Sequence, residues 1–388
     1  MASHGGLAEV LRRFGPAYLD RHTLRPGQAK AWRAILACRT AALGGHIDCC
    51  DQCGTIRHVY HSCRNRHCPQ CQTRAKEAWL AARRHELLPV PYFHLVFTLP
   101  HALNGLIAQQ PRTLYTCLFN AVSGTLCEFA ANPRWLGGEP AFTLVLHTWK
   151  QDLGRHVHVH ALVAGGALNT AGQWLSAKRG FLFPVKALSR VFRGKFVAAL
   201  EQARSSVGLG KDAAPCDTAW RELKDRLYLH DWVVYAKQPL GGPAQVLEYL
   251  ARYTHRVAIS NERIVAIGPT EVALRARLNG EMGKKRTLRL AGTEFIERFL
   301  QHVLPHGFKR IRHYGLLGPA HKSARLAAAR DALGAPQPQP ALLESVAAFM
   351  QRVANIDWIG CPHCRLGQFK VLLAIAPQPP RHPPRAPP

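Results

Sequence analysis

Arg155-His156-Val157-His158-Val159-His160-Ala161-Leu162-Val163-Ala164-Gly165 is the stretch on which the fold turns. Polar and β-branched residues alternate at period two, which predicts a strand with the three imidazoles on one face and the valines on the other. A lone His-x-His is commonly a half-wet strand. Two imidazoles two residues apart can also grip one divalent ion and leave coordination positions open to a phosphate oxygen. Upstream, Ala141-Phe142-Thr143-Leu144-Val145-Leu146-His147-Thr148-Trp149 is a second apolar segment, and Lys150 to Arg155 is short enough to close the two into an antiparallel hairpin. The third ligand beside His158 and His160 is then His147 or His156. His147 is preferred, because a neighbouring strand completes a three-point site better than three residues crowded along one.

Charge points to a polyanion partner. The 388 residues hold 51 Lys+Arg against 24 Asp+Glu, a formal net charge of +27, and nucleic acid is the commonest polyanion. No apolar run approaches a membrane span, and Met1-Ala2-Ser3-His4-Gly5-Gly6 lacks the order of a signal peptide, so a cytoplasmic, nucleoid-associated protein without membrane partners is expected. In that compartment 12 cysteines suggest metal rather than disulfides. Cys50-x2-Cys53 and Cys68-x2-Cys71, separated by residues 54–67, have the spacing of a four-thiolate zinc site. Cys38, His46, Cys63 and His67 are left for a possible second zinc, and Cys49 rivals Cys50 in the first knuckle. Cys361-x2-Cys364 is a knuckle without a partner pair, able to join a zinc site in trans or with His363. Cys117, Cys127 and Cys216 read as packing residues.

The remaining pattern is a zinc-binding, helical N-terminal domain over residues 1–88, a catalytic domain over 89–330, and a C-terminal segment over 331–388 comprising linker, knuckle and proline-rich tail. Within 89–330 a strand at Tyr92–Leu99, a helical stretch at 104–131, the histidine hairpin, a basic helix at 185–206 and a strand at Asp231–Lys237 describe a split β-α-β arrangement. The fold class is therefore α+β, an antiparallel sheet with the histidines on a central strand, preceded by a small zinc module. Short strands are expected over 262–289 with a turn at Lys284 to Arg286, a helix over 293–304, and at 308–317 a basic and aromatic surface suited to single strands. Pro243 and the Val246/Leu247/Leu250 pattern predict a helix on which Tyr249 and Tyr253 share one face. Paired tyrosines usually pack; beside a metal-binding strand they can instead attack a phosphodiester that the metal has made electrophilic.

Ser62-Cys63-Arg64-Asn65-Arg66-His67-Cys68-Pro69-Gln70-Cys71, Val96-Phe97-Thr98-Leu99-Pro100-His101, His158-Val159-His160, Tyr249-Leu250-Ala251-Arg252-Tyr253-Thr254-His255-Arg256 and Arg312-His313-Tyr314-Gly315-Leu316-Leu317 together resemble the two-tyrosine rolling-circle transposases of the insertion-sequence-91 type. These belong to the HUH (His-hydrophobic-His) endonucleases, and the similarity runs from about residue 8 to residue 320. The resemblance implies an RRM-like sheet, Mg²⁺ or Mn²⁺ on His158 and His160, and Tyr249 and Tyr253 as nucleophiles forming 5′-phosphotyrosine links. It implies single-stranded DNA at transposon ends and target as substrate, with the released 3′-hydroxyl priming replication by host enzymes. Val157 stands where the family is associated with proline, and the Cys49-Cys50 doublet departs from the first knuckle. The chain lacks a Gly-x4-Gly-Lys-Ser/Thr phosphate loop, so a separate helicase must unwind the DNA. Two other readings are a plasmid replication initiator or relaxase with the same chemistry, and a non-catalytic zinc-dependent DNA-binding regulator; the latter leaves the histidine row and the tyrosine spacing unexplained.

Overall fold

A computed structural model describes residues 6–178, 180, 182–205, 216–240, 245–246, 258–277, 285–338 and 344–378. The chain begins with helices α1 (Leu7–Leu19) and α2 (Pro26–Ala37), strands β1 (Gly45–Cys50) and β2 (Ile56–Tyr60), and helix α3 (Gln72–Arg84). Pro16 lies inside α1. It falls in the last turn and gives up the i→i−4 hydrogen bond that an N–H there would make. Pro26 opens α2 at the position where proline costs nothing, and the Arg25 N–H donates to Gln28 Oε1 at 3.0 Å.

The middle of the chain supplies β3 (Tyr92–Thr98), α4 (Asn104–Gln109), α5 (Pro111–Ala131), β4 (Glu139–Trp149), β5 (Arg155–Leu168), β6 (Trp174–Ser176), α6 (Val185–Ser205), α7 (Asp217–Tyr228) and β7 (Val234–Leu240). After it come β8 (Ile264–Ile267), β9 (Glu271–Arg277), β10 (Lys285–Ala291), α8 (Gly292–Leu300), β11 (Ile311–Gly315), α9 (Lys322–Ala332), α10 (Val346–Ala354) and β12 (Phe369–Ile375). Lys285 and Arg286, expected on a turn, begin β10, which pairs with β9 along its whole length.

The main sheet runs β11-β4-β5-β3-β7, antiparallel throughout, with β6 added at the end of β5. Leaving out the edge strand β11, that is the split β-α-β order: the first strand of the unit, β3, lies between the third and fourth, β5 and β7. The histidine strand is central, as its alternation requires. Val157, Val159 and Ala161 are at most 1% exposed and enter one core with Phe97, Phe142, Phe192 and Phe196. Each fully buried phenylalanine contributes about 2–3 kcal/mol. Helices α5 and α6 cover this face, so the even-numbered residues of β5 are left to the other.

A second core joins α1 and α2 to β8, β9, β10 and α8, through Leu7, Leu11, Phe14, Trp32, Leu274, Phe295 and Phe299. A third lies at the far end of the histidine face and includes Tyr92, Leu162, Ala164, Val246 and Leu316. The C-terminal strand β12 pairs antiparallel with β1, making a three-stranded sheet β12-β1-β2 from residues at both ends of the sequence. Of the three cysteines expected to pack, Cys117 is buried; Cys127 and Cys216 are exposed. The basic and aromatic stretch 308–317 forms the edge strand β11, with the Arg312 guanidinium 4.2 Å from the Phe119 ring centre and Tyr314 stacked on Phe142. Among the described residues no helix is long and apolar enough to cross a membrane.

Gly315 closes β11 at φ +60°, and a Cβ there would meet the Pro140 carbonyl oxygen at 1.7 Å. That oxygen also accepts the Leu316 N–H at 2.9 Å. Gly315→Ala therefore combines a left-handed backbone with a backbone clash and is expected to cost about 2 kcal/mol or more. A chemical-denaturation midpoint equal to that of the parent protein would contradict this.

Candidate metal centre and cysteine clusters

The hairpin brings His147 directly opposite His158, with His160 one step further along the same face. Ligand-capable nitrogens of His147, His158 and His160 all lie within 4.8 Å of one another. His156 is not in that group: its Nδ1 faces His101 Nε2 at 3.4 Å. His147, rather than His156, thus stands with His158 and His160.

Each ring is oriented by a neighbour. His158 Nδ1 donates to the His156 carbonyl at 3.0 Å, which leaves Nε2 as its ligand atom. His160 Nδ1 lies 2.8 Å from His94 Nε2, the two rings stacked at 5.1 Å. His147 is 4% exposed and stacks on Trp149 at 4.6 Å. Burial, with His156 adding repulsion, pushes His158 down to about 4, so the ring is neutral and able to ligate at physiological pH. Three imidazole donors fit a divalent transition ion better than Mg²⁺, which prefers oxygen.

His94 escaped the sequence reading. Its signal was one polar residue inside the otherwise apolar Tyr92–Phe97, at a position paired with Leu162 on the histidine face.

The tip of the hairpin is held from outside the sheet. His302 Nε2 and Gln301 Nε2 both donate to the Leu153 carbonyl, at 2.9 and 2.8 Å, and Arg298 Nη1 donates to the Asp152 carbonyl at 3.0 Å. Leu153 itself sits at φ +63° and is fully buried. These bonds fix where β4 hands over to β5, and hence which residue faces His158. Tyr249 and Tyr253 lie outside the described residues.

The cysteines group otherwise than their spacing suggests. Cys38, Cys63, Cys68 and Cys71 form one cluster, and Cys50, Cys53, Cys361 and Cys364 another. Cys50-Cys53 and Cys68-Cys71, expected to share one zinc, are thus divided between the two. Cys71 Sγ lies 3.5 Å from Cys38 Sγ and 3.6 Å from Cys63 Sγ, close to the ~3.8 Å edge of a tetrahedron with ~2.3 Å zinc–sulfur bonds. Hydrogen bonds from Cys63 and Cys68 hold the Cys38 thiol down to about 2, while Cys38 pushes Cys63 up to about 12 and Cys68 upward as well. Sulfurs this close compete for negative charge, and a divalent cation removes the competition.

His46 and His67, assigned to the possible second zinc, belong to neither cluster. His46 Nε2 is 3.4 Å from Asp48 Oδ1. His67, pushed down to about 3 by burial, lines a small cavity with His302 and Arg310. Cys49 is in neither cluster, because the strand turns alternate side chains to opposite faces and Cys50 takes the knuckle position.

Residues 10–99 match the model of a transposase zinc-binding domain, and residues 141–325 match that of a putative transposase. Putative transposase y4qJ of Sinorhizobium fredii is 44% identical over 372 residues, 94% of either chain. The transposase for insertion sequence element IS801 of Pseudomonas savastanoi pv. phaseolicola is 26% identical over 353 residues, 89% of this chain and 84% of its own. A solved conjugative relaxase, TrwC in complex with mutant OriT DNA, aligns over 63% of this chain and 75% of its own at 15% identity and a TM-score of 0.23, too loosely for any residue correspondence.

His94→Ala is expected to weaken Mn²⁺ binding 10- to 100-fold through loss of the ring that orients His160, read by isothermal titration; unchanged affinity would remove His94 from the site. Acid gives a second check. His302 and His313 are pushed down to about 4 by burial, below the ordinary value of about 6.5. The unfolded chain therefore takes up protons first, and stability should decline as pH falls from about 6.5 to about 4. A denaturation midpoint that stays flat through that window would show these rings to be accessible.

Proposed function

We propose that this chain, which belongs to the insertion-sequence-91 type transposase family, nicks and transfers single-stranded DNA through phosphotyrosine intermediates formed beside the histidine cluster. Transposition and DNA binding follow from the family; the chemistry is our reading. The observation that carries it is the arrangement of His147, His158 and His160 on a sheet face that α5 and α6 leave uncovered, with donors to hold one divalent ion.

A bound ion would draw charge from a phosphate oxygen and make the phosphorus electrophilic. The phenolic oxygen of Tyr249 or Tyr253 would attack that phosphorus and give up its proton, while the bond from phosphorus to the 3′ oxygen breaks. The products are a 5′-phosphotyrosine and a free 3′-hydroxyl. Attack by a 3′-hydroxyl on the phosphotyrosine restores a phosphodiester and frees the phenol, so two tyrosines permit two successive transfers. Support for bringing them to the ion comes from Val246, three residues before Tyr249. It is buried in the cluster that includes Leu162 and Ala164, even-numbered residues of the same β5 face as His158 and His160.

In the domain assignment that accompanies this proposal, residues 89–330 carry the chemistry, between the zinc-binding module of residues 1–88 and the C-terminal segment of residues 331–388. Unwinding and replication from the 3′-hydroxyl fall to host proteins. Phosphate contacts from the basic surface would make binding fall steeply with salt, by a log-log slope of about −0.7 per phosphate neutralised on single strands.

Incubating purified protein with single-stranded element-end DNA and Mn²⁺ should give a covalent protein–DNA band on denaturing gels. Tyr249→Phe with Tyr253→Phe should abolish it, and His158→Ala with His160→Ala should reduce it at least 100-fold. A band of undiminished strength in the double phenylalanine variant would sink the proposal.

A further inference from the structure

We propose that Cys50, Cys53, Cys361 and Cys364 hold a zinc ion of their own, which fastens the C-terminal segment to the N-terminal module. Cys361 and Cys364 lie outside both matched family regions, residues 10–99 and 141–325.

The two halves of the site are built alike. In each, Cys-x2-Cys is followed by a residue in the left-handed region, Gly54 at φ +68° and Arg365 at φ +59°. In each, the N–H of that residue returns to the carbonyl of the first cysteine, Gly54 to Cys50 at 3.1 Å and Arg365 to Cys361 at 2.9 Å. This turn aims two sulfurs at one point. Two such turns face each other: Cys50 Sγ is 3.7 Å from Cys364 Sγ, and Cys53 Sγ is 3.7 Å from Cys361 Sγ. Those separations match a tetrahedral edge and far exceed the ~2.05 Å of a disulfide. The Gly367 N–H also points at Cys364 Sγ, at 3.3 Å, a contact that favours thiolate. His363, the alternative ligand in the sequence, is exposed and outside the cluster.

Approach between the chain ends is close enough to exclude accident. A Cβ on Gly367 would meet Cys50 Sγ at 2.5 Å, so the C-terminal knuckle is seated against the N-terminal one without room for a side chain. Beside it, Arg57 is stacked 4.5 Å from the Trp358 ring and 4.0 Å from the Phe369 ring, donates to the Trp358 carbonyl at 2.9 Å, and pairs with Asp48 at 2.8 Å. β12 then continues along β1 from Phe369 opposite Cys50 to Ile375 opposite Gly45.

Zinc counted per chain tests the site without reference to nicking. The full-length protein should carry two zinc ions, and Cys361→Ser with Cys364→Ser should carry one. One zinc in the parent protein, or two in the double variant, would overturn the proposal. A second measurement covers misfolding of the variant. With a protease site inserted after Pro336 in otherwise unaltered protein, the cleaved C-terminal fragment should co-elute with the remainder until a chelator is added, and separate afterwards. A fragment that leaves before chelation, or stays equally well after it, would show that no metal holds the two ends together.

Discussion

The pairing of β4 with β5 is the constraint on which the rest depends. Because the side-chain period of a strand is two, committing Val157, Val159 and Ala161 to the helix-covered core commits His156, His158 and His160 to the opposite face. Register does the remainder. A slip of one residue would replace the His147–His158 pair by one imidazole in the core and one outside. The hairpin tip is accordingly held by three side chains of the α8 end, Arg298, Gln301 and His302, each donating to a carbonyl of the loop. A neutral, fully buried His302 accepts from Thr148 Oγ1 on Nδ1, at 3.1 Å, while Nε2 donates to Leu153. One ring thus ties the strand carrying His147 to the turn that follows it.

The sheet and the histidine site were legible because their signals are local. Alternation over Arg155–Leu168, a short loop, and a preceding apolar run are enough to bring His147 to His158. His94 was less so, since its meaning depends on β3 lying beside β5, a pairing between segments 66 residues apart. The cysteine partners were hidden for the same reason in stronger form. Spacing suggested joining Cys50-Cys53 to Cys68-Cys71, which are near in sequence. The contact that decides the matter, Cys50 with Cys364, spans 314 residues. No local rule reaches that far, whereas β12 pairing with β1 makes it unavoidable.

At Pro16 and in the 308–317 stretch, tertiary packing decides what residue type alone does not. The proline in α1 forfeits one i→i−4 bond, which burial of Leu7, Leu11, Phe14 and Tyr18 outweighs. Arg312 and Tyr314 have the composition of a nucleic-acid surface, yet Phe119, Phe308 and Phe142 claim them as packing partners. Cation–π stacking of this kind is worth on the order of 0.5–2 kcal/mol. That energy is spent on fixing β11 to β4, and so on closing the open edge of the strand that bears His147.

The three clusters also differ in their donor atoms and in how many they offer. Four sulfurs complete the coordination of a zinc ion and leave nothing for substrate, which is the signature of a structural site. Three imidazoles leave positions empty, on a face of the sheet that neither α5 nor α6 covers. Sulfur and nitrogen donors are segregated accordingly: the cysteine clusters contain no histidine and the histidine cluster no thiol. A soft, closed site resists exchange with the harder ion that phosphate chemistry prefers, and an imidazole site does not hold zinc as four thiolates do. The donors suited to different metals are thus kept apart by the fold, among the described residues.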